Sequence, residues 1–276
     1  MKLAVISDIH GNLPALQTVT AHLDRWQPDQ VIVNGDVVNR GPLSAACWQF
    51  VEERRQADGW LVLRGNHEEF VTAWQTRPTP AGDPEPGLYL DSYWVYQQLN
   101  GSIPQLTGLP NCHTIPSPDS QELRLTHASM RHNRDGILQQ APAAELRAQI
   151  APAPSVFVTA HTHRPFIRTI DQTQVINVGS VGAPFDGDLR ASYAQLTWQP
   201  GRWQANIIRL PYDREQTRRD FFQSGYLHHA GPLVQIFYHE WHTATPRIWL
   251  WSQRYEDAVR RGDLTLEESI QRFLAE

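Results

Sequence analysis

The chain has 276 residues, enough to bury one large core with an appendage. A net charge of −5 gives no general attraction to nucleic-acid polymers or anionic membranes, and the apolar runs are far shorter than a membrane span needs. Two cysteines, Cys47 and Cys112, make neither a disulfide framework nor a Cys-rich zinc site, and the brief apolar run in MKLAVISDIH is too short for a secretory signal, so a cytoplasmic protein is expected.

Leu3 to Ile6 reads as a short buried strand that runs into Asp8 and His10. Asn12 then caps a helix with Pro14 in its first turn and Leu13, Leu16, Val19, Leu23 and Trp26 on one face. Val31 to Val33 is the next strand, leading to Asp36 and completing a βαβ unit. Pro42 to Arg55 reads as a helix, and Trp60 to Arg64 as a third strand that leads to Asn66 and His67. The break from Arg77 to Gly87, rich in proline, is a loop placed to form a rim or lid. Asp91 caps a helix through Asn100. The strand Leu123 to Leu125 ends in His127, a helix covers Ala141 to Ile150, and the strand Val156 to Val158 ends in His161 and His163. From Val175 the pattern turns β-rich, with the NVGSVG turn and a hairpin of Ser192 to Trp198 and Trp203 to Ile208. Residues 1–210 thus read as one α/β domain.

Residues 211–276 read as a mainly helical extension. Asp213 to Phe222 and Arg247 to Arg260 are helical, and Thr265 with Glu268 forms a capping box for a last helix through Leu274. The aromatic stretch LVQIFYHEWH either packs back on the domain or makes a subunit contact, so a homo-oligomer through this extension is one expectation.

Strands alternating with helices argue for a sheet with helical cover, and in such sheets sites gather outside the carboxyl ends of the strands. Asp8, His10, Asp36, Asn66, His127, His161 and His163 all stand at such ends. In a strand, residues two apart point the same way, so Asp8 and His10 are expected to share one ion, as are His161 and His163. Asp36 offers a carboxylate able to bridge two cations, and Asn66 adds a neutral oxygen. Imidazole with oxygen suits Mn, Fe, Zn, Co or Ni better than calcium. Two ions roughly 3.5 to 4 Å apart would clamp an in-line displacement, and phosphoryl transfer most needs such a clamp. His67 is free to donate a proton to the leaving oxygen. Arg40 and Arg64 are candidate forks onto phosphate oxygens, with surface ion pairing and strand-exit packing as their ordinary alternatives.

The motifs SDIH, GDVVNRG, RGNHE, the later His127 and AHTH, in this order, resemble the calcineurin-like metallophosphoesterase superfamily over Met1 to about Leu210. The tail NVGSVGAPFDGDLRASYA is similar to the bacterial predicted-phosphodiesterase branch. The resemblance implies a four-layer-type sandwich of two mixed β-sheets flanked by helices. It implies two divalent or transition metal ions, manganese foremost: one held by Asp8, His10, Asp36 and His163, the other by Asp36, Asn66, His127 and His161. A metal-bridging hydroxide would attack phosphorus, with Asp36 and His67 as the catalytic groups. The substrate would be a small phosphomonoester, phosphodiester or dinucleoside polyphosphate; the alternatives are a serine/threonine protein phosphatase and a non-catalytic metal-binding scaffold. Ala160 stands where glycine is usual before HxH. Asn39 stands where the phosphoprotein phosphatase and dinucleoside tetraphosphatase branches carry an aspartate that steadies the catalytic histidine. The glycines and Ser180 of NVGSVG read as a tight turn against the site, Asp186, Asp188 and Arg190 as a salt-bridged loop, and His228, His229, His239 and His242 as packing or surface residues.

Overall fold

The computed structural model describes residues 1–78, 87–99 and 101–276. The rim or lid expected over Arg77 to Gly87 therefore falls mostly outside the described residues, as does Asn100, the expected end of its helix.

Two five-stranded mixed sheets lie face to face. The first has the order β10 (Arg202–Leu210), β9 (Ala191–Gln199), β1 (Lys2–Ile6), β2 (Gln30–Val33), β3 (Leu61–Val62). The second runs β4 (Cys112–Pro116), β5 (Glu122–Thr126), β6 (Val156–Thr159), β8 (Thr173–Asn177), β7 (Phe166–Ile170). Alternation along β1 explains the layering: Leu3 and Val5 enter the core between the sheets with Leu123, Val158 and Ile176, while Ala4 and Ile6 face outward. There α1 (Leu13–Trp26) and α2 (Ser44–Asp58) cover them with Leu16, Val19, Trp48 and Val51. On the far side, Phe157 and Val175 pack against Leu146 and Ile150 of α6 (Ala143–Ile150). With both faces buried, these strands read as unbroken apolar runs.

The strand expected over Trp60 to Arg64 contracts to β3, because α3 (Asn66–Thr72) begins directly after the turn at Gly65. Two more helices, α4 (Leu90–Gln98) and α5 (Ile103–Thr107), precede β4. Strands β4 and β7 and helices α3 and α5 carry no strong periodic signal, and pairing with neighbouring elements defines them. The parallel members β1, β2, β3, β5, β6 and β8 all point their carboxyl ends at one edge of the sandwich.

Beyond Leu210 come α7 (Arg214–Gln223), α8 (Tyr226–His229), α9 (Val234–Thr243), α10 (Ile248–Trp251), a π-helical turn at Ser252–Glu256, α11 (Asp257–Arg260) and α12 (Leu266–Ala275). Their core joins Phe221, Tyr226, Trp241, Trp251 and Phe273, so the aromatic stretch of α9 turns inward. The Tyr212 hydroxyl accepts from Asn12 Nδ2 (3.1 Å) and from Trp241 Nε1 (2.9 Å), tying these helices to the foot of α1. Among the described residues no helix is long and apolar enough to cross a membrane.

Candidate metal centre

Six strand-end loops meet at the common edge, and their backbone is unusual. Asp8, His10, Asp36, Asn39, Arg40, His161 and His163 all have φ between 48° and 63°. This left-handed region costs a non-glycine residue on the order of 1–3 kcal/mol and collects at functional sites. It also corrects the expectation from strand spacing. Asp8 and His10 lie beyond the end of β1 and His161 and His163 beyond β6, so turns rather than strand alternation aim their side chains.

The side chains fall into two groups that share Asp36. Asp8, His10, Asp36 and His163 offer atoms within 4.8 Å of one another, and Asp36, His127 and His161 do the same. His161 and His163 therefore go to different groups, against the shared ion read from their spacing and in line with the family resemblance. His163 Nε2 lies 3.1 Å from Asp8 Oδ1, and His127 Nε2 lies 3.2 Å from Asp36 Oδ2. Asn66 joins the second group with Oδ1 3.1 Å from His127 Nε2.

Each buried imidazole is oriented by a backbone carbonyl. Nδ1 of His10 meets Val38 O at 3.2 Å, that of His127 meets Asn34 O at 2.8 Å, and that of His163 meets Ala183 O at 2.5 Å. Donation from Nδ1 leaves each Nε2 lone pair turned to the centre, the tautomer a metal ligand needs. His10 and His163 bring these nitrogens to 3.2 Å. Asp8 Oδ1 and Asp36 Oδ2 are buried without a hydrogen-bond partner among the described residues. Lone pairs and carboxylate oxygens facing one another without a donor are costly unless a cation lies among them. The donor set, imidazole nitrogen with carboxylate and amide oxygen, thus fits divalent transition metals.

The electrostatics agree. Burial, then His163, holds His10 well below its usual range, and burial with His127 pulls His161 down to about 4. Burial opposes charge on His127, yet Asp36, 3.2 Å away, and Asp8 outweigh it and push this ring up to about 10. The centre attracts positive charge.

Part of the supporting frame comes from residues to which the sequence reading gave no role. Glu68 accepts from the backbone N–H groups of Asp36 (2.8 Å), Val37 (2.8 Å) and Gly65 (2.8 Å), pinning the β2 loop to the start of α3. With Gly65 rather than a serine or threonine at the N-cap, only half of the capping-box signature is present, so the sequence did not mark Glu68. Gly65 is required there, since a Cβ would sit 2.1 Å from Asp36 Oδ1. The NVGSVG segment supplies no ligand and forms the turn expected of it: Ser180 Oγ donates to Asp8 O (2.7 Å) and Val181 N to Ser7 O (2.9 Å). A Cβ on Gly182 would meet Ile9 O at 1.8 Å. Ala160 keeps negative φ and its carbonyl accepts from Asn177 Nδ2 (2.7 Å), so glycine is not needed at this place.

His67 stands at the rim, edge-on to His10 (ring centroids 4.9 Å) and to Phe70 (5.3 Å). Asn39 does not orient its ring, because Nδ2 donates to the His67 carbonyl at 3.3 Å, and His67 Nδ1 has no partner among the described residues. Burial pulls His67 down to about 3 against the attraction of Asp36. Arg40 lines the same pocket and pairs with Glu240 of α9, its guanidinium 4.8 Å from the Phe237 ring. Arg64 is not among the described residues that line this pocket; its Nη2 donates to the carbonyls of Thr107 (2.6 Å) and Leu109 (2.7 Å), fastening the segment after α5. Asp186, Asp188 and Arg190 make the ion pairs expected of them, with Arg209 as a further partner. His228, His229, His239 and His242 join neither metal-holding group.

This fold and this ligand set define a class. The domain model of the calcineurin-like phosphoesterase superfamily matches residues 1–201, and the chain belongs to that superfamily. It is similar to an uncharacterized protein of Methanocaldococcus jannaschii, 23% identical over 233 residues that span 76% of this chain and 88% of that protein. The crystal structure of a metallophosphoesterase from Sphaerobacter thermophilus resembles it with a TM-score of 0.68 at 25% identity, over 89% of this chain and 99% of that one. A hypothetical protein from Pyrococcus horikoshii shares the fold with a TM-score of 0.68 at 19% identity, over 83% of this chain and 98% of that one.

Proposed function

We propose that the chain hydrolyses small phosphoesters with two divalent transition metal ions, one held by Asp8, His10, Asp36 and His163 and the other by Asp36, Asn66, His127 and His161. The observation that carries this reading is Asp36, whose carboxylate belongs to both groups of ligand atoms. Bound ions of this kind lower the pKa of water at the site and offset charge on the phosphoryl oxygens.

The chain's own residues contribute orientation and proton control. Carbonyl-anchored rings keep the Nε2 atoms of His10, His127 and His163 fixed, so little reorganisation accompanies the reaction. His67, at the rim, supplies the proton to the leaving oxygen. Its ring is neutral in isolation, and a phosphoryl dianion brought beside it favours the charged form. Arg40 has Nη2 committed to Glu240, which leaves its other N–H groups for a phosphoryl oxygen. Manganese is the first ion to try, with iron, zinc, cobalt and nickel next.

The test is a panel of a phosphomonoester, a phosphodiester, a dinucleoside tetraphosphate and a phosphopeptide, each with and without these metals. Metal-dependent turnover is expected for one of the small esters, and Asp36→Asn is expected to abolish it with the circular dichroism spectrum unchanged. Full turnover by that variant would contradict the reading.

A further inference from the structure

The pocket at Asn66 and His67 continues away from the metal centre beneath the C-terminal helices, with a volume of about 360 Å³, within the roughly 300 to 1,000 Å³ of small-molecule sites. Its walls change character with distance from Asp36. Next to His67 stands Phe70, whose ring lies 6.0 Å from that of Tyr89, and Phe237 and Trp249 of the C-terminal helices also line the pocket. Trp249 is 63% exposed, an apolar surface kept open at the mouth of a cavity. The outer end is polar, formed by Ser252 and Glu256 on the π-helical turn, a helix irregularity common at functional sites. Among the described lining residues only Arg40 is cationic, and its charge is met by Glu240. Asp91 adds a buried carboxyl group to the lining, and the carboxylate of Glu256 is paired with Arg260. The far half of the pocket therefore disfavours a second phosphate and suits a flat, uncharged ring.

We infer that the pocket selects phosphoesters whose alcohol carries a planar ring, seated against Phe70, Phe237 and Trp249 while the phosphoryl group lies at the metal centre. The inference rests on the hydrolase reading for the position of the phosphoryl group. In the step served, a water oxygen bonds to phosphorus and the bond from phosphorus to the alcohol oxygen breaks. One water proton ends on that alcohol and the other on the phosphate. The ring is either a nucleobase or a simple aryl group.

Two matched pairs separate these sources: adenosine 5′-monophosphate against ribose 5-phosphate, and benzyl phosphate against cyclohexylmethyl phosphate. With manganese-loaded protein, kcat/KM is expected to favour the planar member of at least one pair by on the order of 10-fold, the scale of one aromatic stacking contact. Trp249→Ala, at an exposed position, is expected to bring that ratio near one, and Phe237→Leu to reduce it. Preference confined to the adenosine pair assigns a nucleobase, and preference confined to the benzyl pair an aryl group. Equal rates within both pairs, or a preference untouched by Trp249→Ala, would overturn the inference. Absence of turnover on all four monoesters would instead overturn the monoester form of the hydrolase reading. Calorimetric binding of benzylphosphonate and cyclohexylmethylphosphonate then still reads the pocket, with equal affinities overturning the ring preference.

Discussion

At the residue scale, the centre is built from side chains whose backbones no ordinary strand or helix would supply. Asp8, His10, Asp36, His161 and His163 each hold a left-handed conformation, and the glycine contacts and carbonyl anchors around them keep them there. His67 differs from His10, His127 and His163 in having no carbonyl anchor for Nδ1 among the described residues. Replacing it by alanine should lower kcat by about 10²- to 10⁴-fold, the usual range for a positioned proton donor. Metal content by elemental analysis should stay at the wild-type value, and loss of metal would make His67 a ligand instead. Glu68 acts on the backbone. Glu68→Ala leaves the N–H groups of Asp36, Val37 and Gly65 without their acceptor, and should cost on the order of 3 kcal/mol in urea unfolding. A change within 0.5 kcal/mol would show that water replaces the carboxylate at no penalty. The ligands were legible in the sequence because chemistry restricts which residue types bind metal. Glu68 and Glu240 were not, since a carboxylate that accepts backbone N–H groups or pairs with a distant arginine looks like any other acidic residue until the loops are folded.

At the scale of elements, the strand ends carry the ligands and the loop after β8 braces them. Val181 N and Gly182 N donate to the carbonyls of Ser7 and Asp8 (2.9 and 3.0 Å), extending the order of β1 into the first ligand loop. Gly182→Ala drives a methyl group into the Ile9 carbonyl, backbone that has no flexible end to yield. The variant should bind manganese at least 10-fold more weakly in a calorimetric titration, although no ligand is altered, and unchanged affinity would show that the loop can shift without moving Asp8. Apolar runs identified β1, β2 and β6, because an element buried on both faces must be apolar throughout, and the one-face spacing of Leu16, Val19 and Leu23 identified α1. Strand β4, with three exposed positions among its five residues, and strand β7 have no such constraint, and their pairing with β5 and β8 decides them. The ligand partition followed from the family resemblance and not from residue spacing. His161 and His163 are two residues apart, yet the turn after β6 sends them to different groups.

At the scale of the whole molecule, two sheets bring six loops to one edge and the C-terminal helices close over one side of it. Arg40, in the loop after β2, is held by Glu240 from α9, and Glu240 in turn accepts from Arg247 N (2.6 Å) and Ile248 N (2.8 Å). The helices that follow Leu210 thereby shape the pocket beside His67, although the ligand groups themselves are complete without them. The sandwich was legible from the order of strands and motifs. The wall supplied by the extension was not, because an aromatic stretch reads the same whether it faces a core, a partner or a pocket. Central to the account is one centre of two ions sharing Asp36. The most direct measurement is a calorimetric titration of manganese into chelator-stripped protein. The account predicts two ions bound per chain, with both affinities weakened together in Asp36→Asn. Saturation at no ions, or two-ion binding that Asp36→Asn leaves unchanged, would contradict it.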